Sequence, residues 1–160
     1  MQDVVIFIRA NGSLLKIDNG PLALMKKYRQ LKQHDKEAGG ILLGRMIENS
    51  NDVIIDEVTE PGPKDKRSKF SFFRSKSIQK IINLRWLKSN NTRNYLGEWH
   101  THPESYPSPS TIDIIDWKNI MKKGVFYQDF LFFIIVGQVK ISAWEFRKGD
   151  IAPRKLNDLE

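Results

Sequence analysis

The chain has 160 residues, 40% hydrophobic and 28% charged, enough for one domain with a real core and ordinary for a soluble globular protein. It has no cysteine, which excludes disulfides and restricts any metal site to nitrogen and oxygen donors. The net charge of +7 is concentrated: from Pro61 to Arg93 ten Lys and Arg stand against one acid, Asp65, leaving the rest slightly acidic. Such an excess can steer an acidic partner or simply form a solvated face.

No apolar run approaches the roughly 18 residues that span a bilayer. Met1-Gln2-Asp3 also lacks the basic start of a secretory signal, so a cytoplasmic, membrane-free location is expected. Val4–Ile8 is apolar and β-branched and leads into Asn11-Gly12, a hairpin signal, with Leu14–Ile17 as the returning strand. A helix is expected from Gly20 to His34, with Pro21 in its first turn and Leu22, Met25 and Leu31 among its apolar positions. Glu37–Ile47 and Val53–Val58 read as paired strands around Asn49-Ser-Asn-Asp52. Pro61–Arg67 reads as a mobile basic loop.

A second helix is expected from Ser75 to Lys88, because Ile78, Ile82 and Trp86 recur on one face. Asn94–His102 reads as a strand, followed by a loop with prolines at 103, 107 and 109. Ser110–Lys123 reads as a helix ending before Gly124, with two lysines at its negative end. Asp129–Val136 and Val139–Phe146 close the pattern as strands around Gly137-Gln138. Residues 1–148 form one domain in this reading, and 149–160 a loose tail.

The chemistry concentrates between Glu98 and Asp113. His100 and His102 are two apart on a strand, so their imidazoles project from one face. Pro103 ends the strand, and the next helix brings Ser110 and Asp113 back in its first turn. Two imidazoles and a carboxylate leave the fourth position of a tetrahedral zinc open. Each part also has a plainer meaning. Ser-Thr-Ile-Asp before an apolar run is a capping box, His-x-His is common on exposed strands, and Glu37 can be a solvated residue entering a strand. Glu98 shares the histidines' side of a regular strand and is a competing carboxylate or a supporting one.

The order and spacing of these parts resemble the JAMM (MPN-plus, Mov34-type) zinc metalloisopeptidases. The signature is an upstream Glu, then His-x-His-Pro, six residues, and Ser-x-x-Asp; here these are Glu37, His100-Thr101-His102-Pro103 and Ser110-Thr111-Ile112-Asp113. The resemblance implies an α/β fold of the MPN/JAMM type, a mixed, mainly antiparallel β-sheet flanked by helices and related to the cytidine-deaminase architecture. It implies one Zn2+ held by His100, His102 and Asp113, with Glu37 as the general base and Ser110 as a donor to the oxyanion. Three segments, Thr59-Glu-Pro-Gly-Pro-Lys64, Gly97–Pro103 and Pro107-Ser-Pro-Ser110, resemble the stand-alone bacterial JAMM proteins of antiphage CBASS operons. These remove a CD-NTase from proteins joined to its C-terminus.

The implied substrate is therefore a conjugated protein with an extended C-terminal tail, a CD-NTase or a ubiquitin-like protein. The basic stretch Pro61–Arg93 is a candidate surface for docking its body. The alternatives are a general bacterial deubiquitinase-like JAMM protease and a non-catalytic MPN-type binding module. A cytidine deaminase is excluded in its usual form by the missing cysteines. Nucleic-acid binding ranks lower, because the basic stretch lacks interleaved stacking aromatics apart from Phe70, Phe72 and Phe73.

Overall fold

A computed structural model of the chain describes residues 4–63, 65–69, 71–73, 78–89 and 92–159. Strands β1 (Val5–Ile8) and β2 (Leu14–Ile17) precede helix α1 (Asn19–Lys27) and strands β3 (Gly39–Met46), β4 (Val53–Val58), β5 (Lys66–Ser68) and β6 (Ser71–Phe73). Helix α2 (Ile78–Lys88), strand β7 (Asn94–Thr101) and helix α3 (Thr111–Lys123) follow. The last strands are β8 (Phe130–Val136), β9 (Ile141–Arg147), β10 (Arg154–Lys155) and β11 (Asn157–Asp158). Among the described residues no helix is long and apolar enough to cross a membrane.

Nine strands form one mixed sheet in the order β10-β9-β8-β7-β3-β4-β2-β1-β11, and β5 and β6 form a separate hairpin. Among the described residues only β2/β4 and β7/β8 pair in parallel; a parallel pair needs a long crossover, which α3 provides between β7 and β8. β8 shows why the sheet is covered on both faces. Phe130, Phe132, Ile134 and Val136 enter one cluster with Leu22 and Met25 of α1. Leu131, Phe133 and Ile135 enter the other with Trp117 of α3. A strand apolar at every position suits burial on both sides.

β7 is not a uniform strand. Gly97 has a φ of +135°, and pairing with β3 slips there from Leu42↔Gly97 to Leu43↔Tyr95. This bulge puts Leu96 and Trp99 on the α1 face, while Tyr95 belongs to the α3 cluster. His100, the residue after Trp99, is thereby turned toward α3. A Cβ at Gly97 would overlap the Phe132 carbonyl oxygen, so the bulge depends on glycine.

Three expectations are corrected. The first helix ends at Lys27 rather than His34: Tyr28 has φ −93° and ψ 8°, and the apolar pattern fails beyond it, Leu31 being 66% exposed. The expected basic loop gives way to a strand at its end, where Lys66 and Arg67 lie in β5; Lys64, Phe70 and residues 74–77, which include the expected start of the second helix, lie outside the described residues. The tail is not loose. β10 pairs with β9 and β11 with β1, so consecutive segments close both edges of the sheet. Between them Leu156 is buried in the α1-side core, where a leucine contributes roughly 1.5–3 kcal/mol.

Candidate metal centre

His100 stands at the end of β7, and the chain continues extended through His102, whose amide donates to the Val136 carbonyl at 3.1 Å. The following loop is tied to the β8–β9 turn: Gln138 N–H donates to Glu104 O at 2.7 Å and Lys140 N–H to Ser105 O at 3.0 Å. α3 then begins with Ser110 as its N-cap. The Asp113 amide donates to Ser110 Oγ at 3.1 Å, and Asp113 Oδ2 accepts from the Ser110 amide at 2.9 Å. The same Oδ2 lies 3.0 Å from His102 Nε2 and 3.3 Å from His100 Nε2. Cap and site therefore use one carboxylate, where the motif left the two readings as alternatives.

Glu37 comes from the other side. It precedes β3 and is buried, with its Oε1 3.8 Å from His102 Nε2. Its amide donates to Ser68 O at 2.6 Å, and Arg67 Nε donates to its carbonyl at 2.8 Å, so the β5–β6 hairpin holds its peptide. Burial pushes its carboxyl up to about 7; the His102 charge opposes the shift, and Asp113 and Glu104 add to it. Close approach matters just beyond: a Cβ on Gly39 would press on the Trp99 carbonyl and the Phe72 ring.

The spacing of the motif does not point to Glu104. Its Oε1 lies 2.8 Å from His102 Nδ1, so that nitrogen donates and the Nε2 lone pair of neutral His102 faces the cluster. His100 meets Trp117 edge-on at 6.3 Å, and that indole stacks on Phe133 at 4.7 Å, which fixes the ring from behind. Glu98 accepts from the Tyr95 hydroxyl at 2.9 Å. Burial raises the Asp116 carboxyl above its usual range, with help from the Asp113 and Glu98 charges. Among the described residues the donor cluster consists of His100, His102 and Asp113, and His34 is exposed elsewhere.

These residues fit a metal ion. One ligand atom from each of the three lies within 4.8 Å of the others. The two Nε2 atoms face each other at 3.0 Å with a carboxylate oxygen beside both. Two lone pairs and an anion so arranged repel unless a cation or added protons lie between them. The titration shifts say the same. Burial favours neutral His102, yet hydrogen bonds to Asp113 and Glu104 outweigh it and raise its pKa. Burial would raise Asp113, yet its bonds to His100 and His102 hold it well below the usual carboxylate range. Nitrogen and oxygen donors in this number suit zinc with an open position.

Residues 23–147 match the model for prokaryotic homologs of the JAB domain. A protein named CD-NTase/cGAS isopeptidase from Pseudomonas aeruginosa (strain BWHPSA011 / Pa011) is 37% identical over 114 residues, 71% of this chain and 71% of its own. One of the same name from Escherichia coli (strain TW11681) is 36% identical over 133 residues, 82% of this chain and 81% of its own. The solution structure of protein DSY2949 from Desulfitobacterium hafniense is similar in fold, with a TM-score of 0.54 at 17% identity, covering 90% of this chain and 88% of that one. The chain belongs to the prokaryotic JAB-domain family.

Proposed function

We propose that the protein is a zinc-dependent isopeptidase that hydrolyses the amide joining the C-terminal tail of a CD-NTase to a target, and so regulates an antiphage CBASS system. One observation carries the chemistry: three metal-donor atoms converge beside the buried carboxyl of Glu37. The relatives' shared name supplies the substrate class.

His100, His102 and Asp113 would hold the ion. When bound, it supplies Lewis-acid polarisation and makes water a nucleophile near neutral pH. Glu37 is the general base and then the acid. Buried beside the donor cluster, its carboxylate can take a proton and return it to the leaving amine. Glu104 keeps the His102 tautomer that presents Nε2 to the site. Ser110 Oγ accepts from the Asp113 amide, which uses a lone pair and leaves the hydroxyl proton to donate to the oxyanion.

The basic stretch offers less docking charge than its count implies. Arg85 pairs with Glu57 at 2.8 Å, and Arg93 pairs with Asp56 at 3.1 Å and Glu57 at 3.3 Å. Arg67 serves the Glu37 carbonyl. Lys66, Lys80 and Lys88 are exposed and are the better candidates for meeting the conjugated protein. The direct test joins a CD-NTase through its C-terminal carboxyl to a second protein and follows release on zinc-loaded protein. Release at the junction, abolished by chelation and restored by zinc, is expected. An intact conjugate at one zinc per chain would refute the proposal.

A further inference from the structure

Gln30 is a polar side chain only 1% exposed, in a stretch with no regular structure, and the chemistry above does not use it. All its amide hydrogen-bonding groups are engaged. Nε2 donates to Asp35 O at 3.1 Å and to Lys69 O at 2.8 Å; both partners are carbonyls, which assigns the nitrogen to that side. Oε1 accepts from the Thr101 hydroxyl at 2.8 Å. Thr101 Oγ1 in turn accepts from the Ala38 amide at 2.9 Å, and the Thr101 amide donates to Ala38 O at 2.9 Å. Every proton in this chain of bonds has one place to go.

The positions of these partners give the network its meaning. Thr101 lies between His100 and His102 and is fully buried. Ala38 follows Glu37, and Asp35 lies two before it. Lys69 follows Ser68, whose carbonyl takes the Glu37 amide. The Gln30 backbone joins in as well: its carbonyl accepts from Gln138 Nε2 at 2.8 Å, and the Gln138 amide donates to Glu104 O. One buried amide thus connects the segment carrying Glu37, the hairpin behind it and the end of β7, where Thr101 separates the two histidines.

We infer that Gln30 and Thr101 are positioning residues that set the distance between Glu37 and the histidine pair. The inference rests on the function proposed above for its kinetic part only. Misplacing a reacting group by about 1 Å costs up to about 100-fold in rate without a matching loss of binding. None of the clamp's hydrogen bonds goes to a metal-donor atom, so its effect is expected on turnover.

Two measurements test it. The first is amide exchange by NMR on zinc-loaded protein. In Gln30→Met and Thr101→Val the Glu37 and Ala38 amides should exchange faster, while those of Phe132 and Ile134 in β8 stay protected. The second is cleavage of the CD-NTase conjugate per bound zinc, at temperatures where each variant is folded. Here kcat should fall about 10- to 100-fold with KM within about twofold. Thr101→Ser, which keeps the hydroxyl, should recover most of kcat, and the double variant should be little worse than either single one. Should Gln30→Met fail to fold, the Thr101 pair decides. Uniformly faster exchange, unchanged kcat per zinc or a rise confined to KM would overturn the clamp. A parent that cleaves no conjugate refutes the proposed function instead, and the exchange data then decide the clamp alone.

Discussion

Asp113 and Glu37 approach the same nitrogen of His102, at 3.0 and 3.8 Å, and the chain holds them by different means. Asp113 sits in the first turn of α3, aimed by a reciprocal pair of bonds with Ser110 only three residues away. Glu37 belongs to no helix or strand. Its peptide is fixed by Ser68 and Arg67, and its neighbour Ala38 by Thr101 across 63 positions. The local arrangement forms with its helix and costs little loop closure; the distant one exists only once sheet and hairpin have assembled. Damage on the Asp113 side should therefore stay local, whereas damage around Glu37 should reach the whole site.

The largest effect expected is the loss of turnover in Glu37→Gln. The amide fits the same buried space but takes up no proton, so cleavage should fall by about 10²- to 10⁴-fold. Zinc measured by mass spectrometry should stay near one per chain, because the three donors are untouched. Loss of metal along with activity would make Glu37 a ligand and erase the contrast between the two carboxylates.

Next comes Glu104, which stands on the locally held side and steers His102 through Nδ1. Glu104→Ala should weaken zinc binding about 10- to 100-fold, read by competition with a chelating dye. Glu104→Gln still accepts from Nδ1–H and should keep most of the affinity. Equal losses in the two variants would show that charge near the site, rather than tautomer, is what Glu104 supplies.

The same division explains what could be read from the residues alone. His100, His102, Ser110 and Asp113 were legible because strand alternation and a capping box are spacings, and spacings are visible in sequence. β8 was legible because a continuous apolar run suits a strand covered on both faces. The end of α1 was not, since Leu31 reads in the sequence as one more apolar helix position, and only the Tyr28 dihedrals and the exposure of Leu31 show that the helix has stopped. Nor was the closure by residues 154–158, whose short strands carry almost no apolar signal beyond Leu156. Gln30 and Glu104 were invisible for a related reason. A side chain bonded to a distant backbone carbonyl, or to a histidine through the rear nitrogen, leaves no periodicity. The Gly97 bulge was masked too, since the uniform strand expected there happens to put both histidines on one side.

A smaller effect comes from titration in the metal-free protein. Folded Glu37 binds its proton up to about pH 7, while the unfolded chain releases it near 4.5. Between these values the folded state carries the extra proton, so this group makes stability fall as pH rises from about 4.5 to 7 and adds no slope beyond. Glu37→Gln lacks the slope. It should be more stable than the parent by roughly 1–3 kcal/mol at pH 8, with the gain vanishing below about pH 4. Denaturant melts of both proteins across that range check the sign. A gain that persisted at low pH would mean that glutamine merely packs better.

Ser110 gives the smallest change in stability and the sharpest separation of the two roles on the Asp113 side. Ser110→Ala removes the acceptor of the Asp113 amide and should cost about 1 kcal/mol, the usual worth of an N-cap. It also removes the hydroxyl proton. Ser110→Asp restores a cap acceptor at a helix N-terminus, where negative charge is favoured, but supplies no proton at neutral pH. Stability should return in Ser110→Asp while kcat stays low, because capping needs the lone pair and the donation proposed for the oxyanion needs the proton. Recovery of both together would reduce Ser110 to a cap whose only task is to aim Asp113.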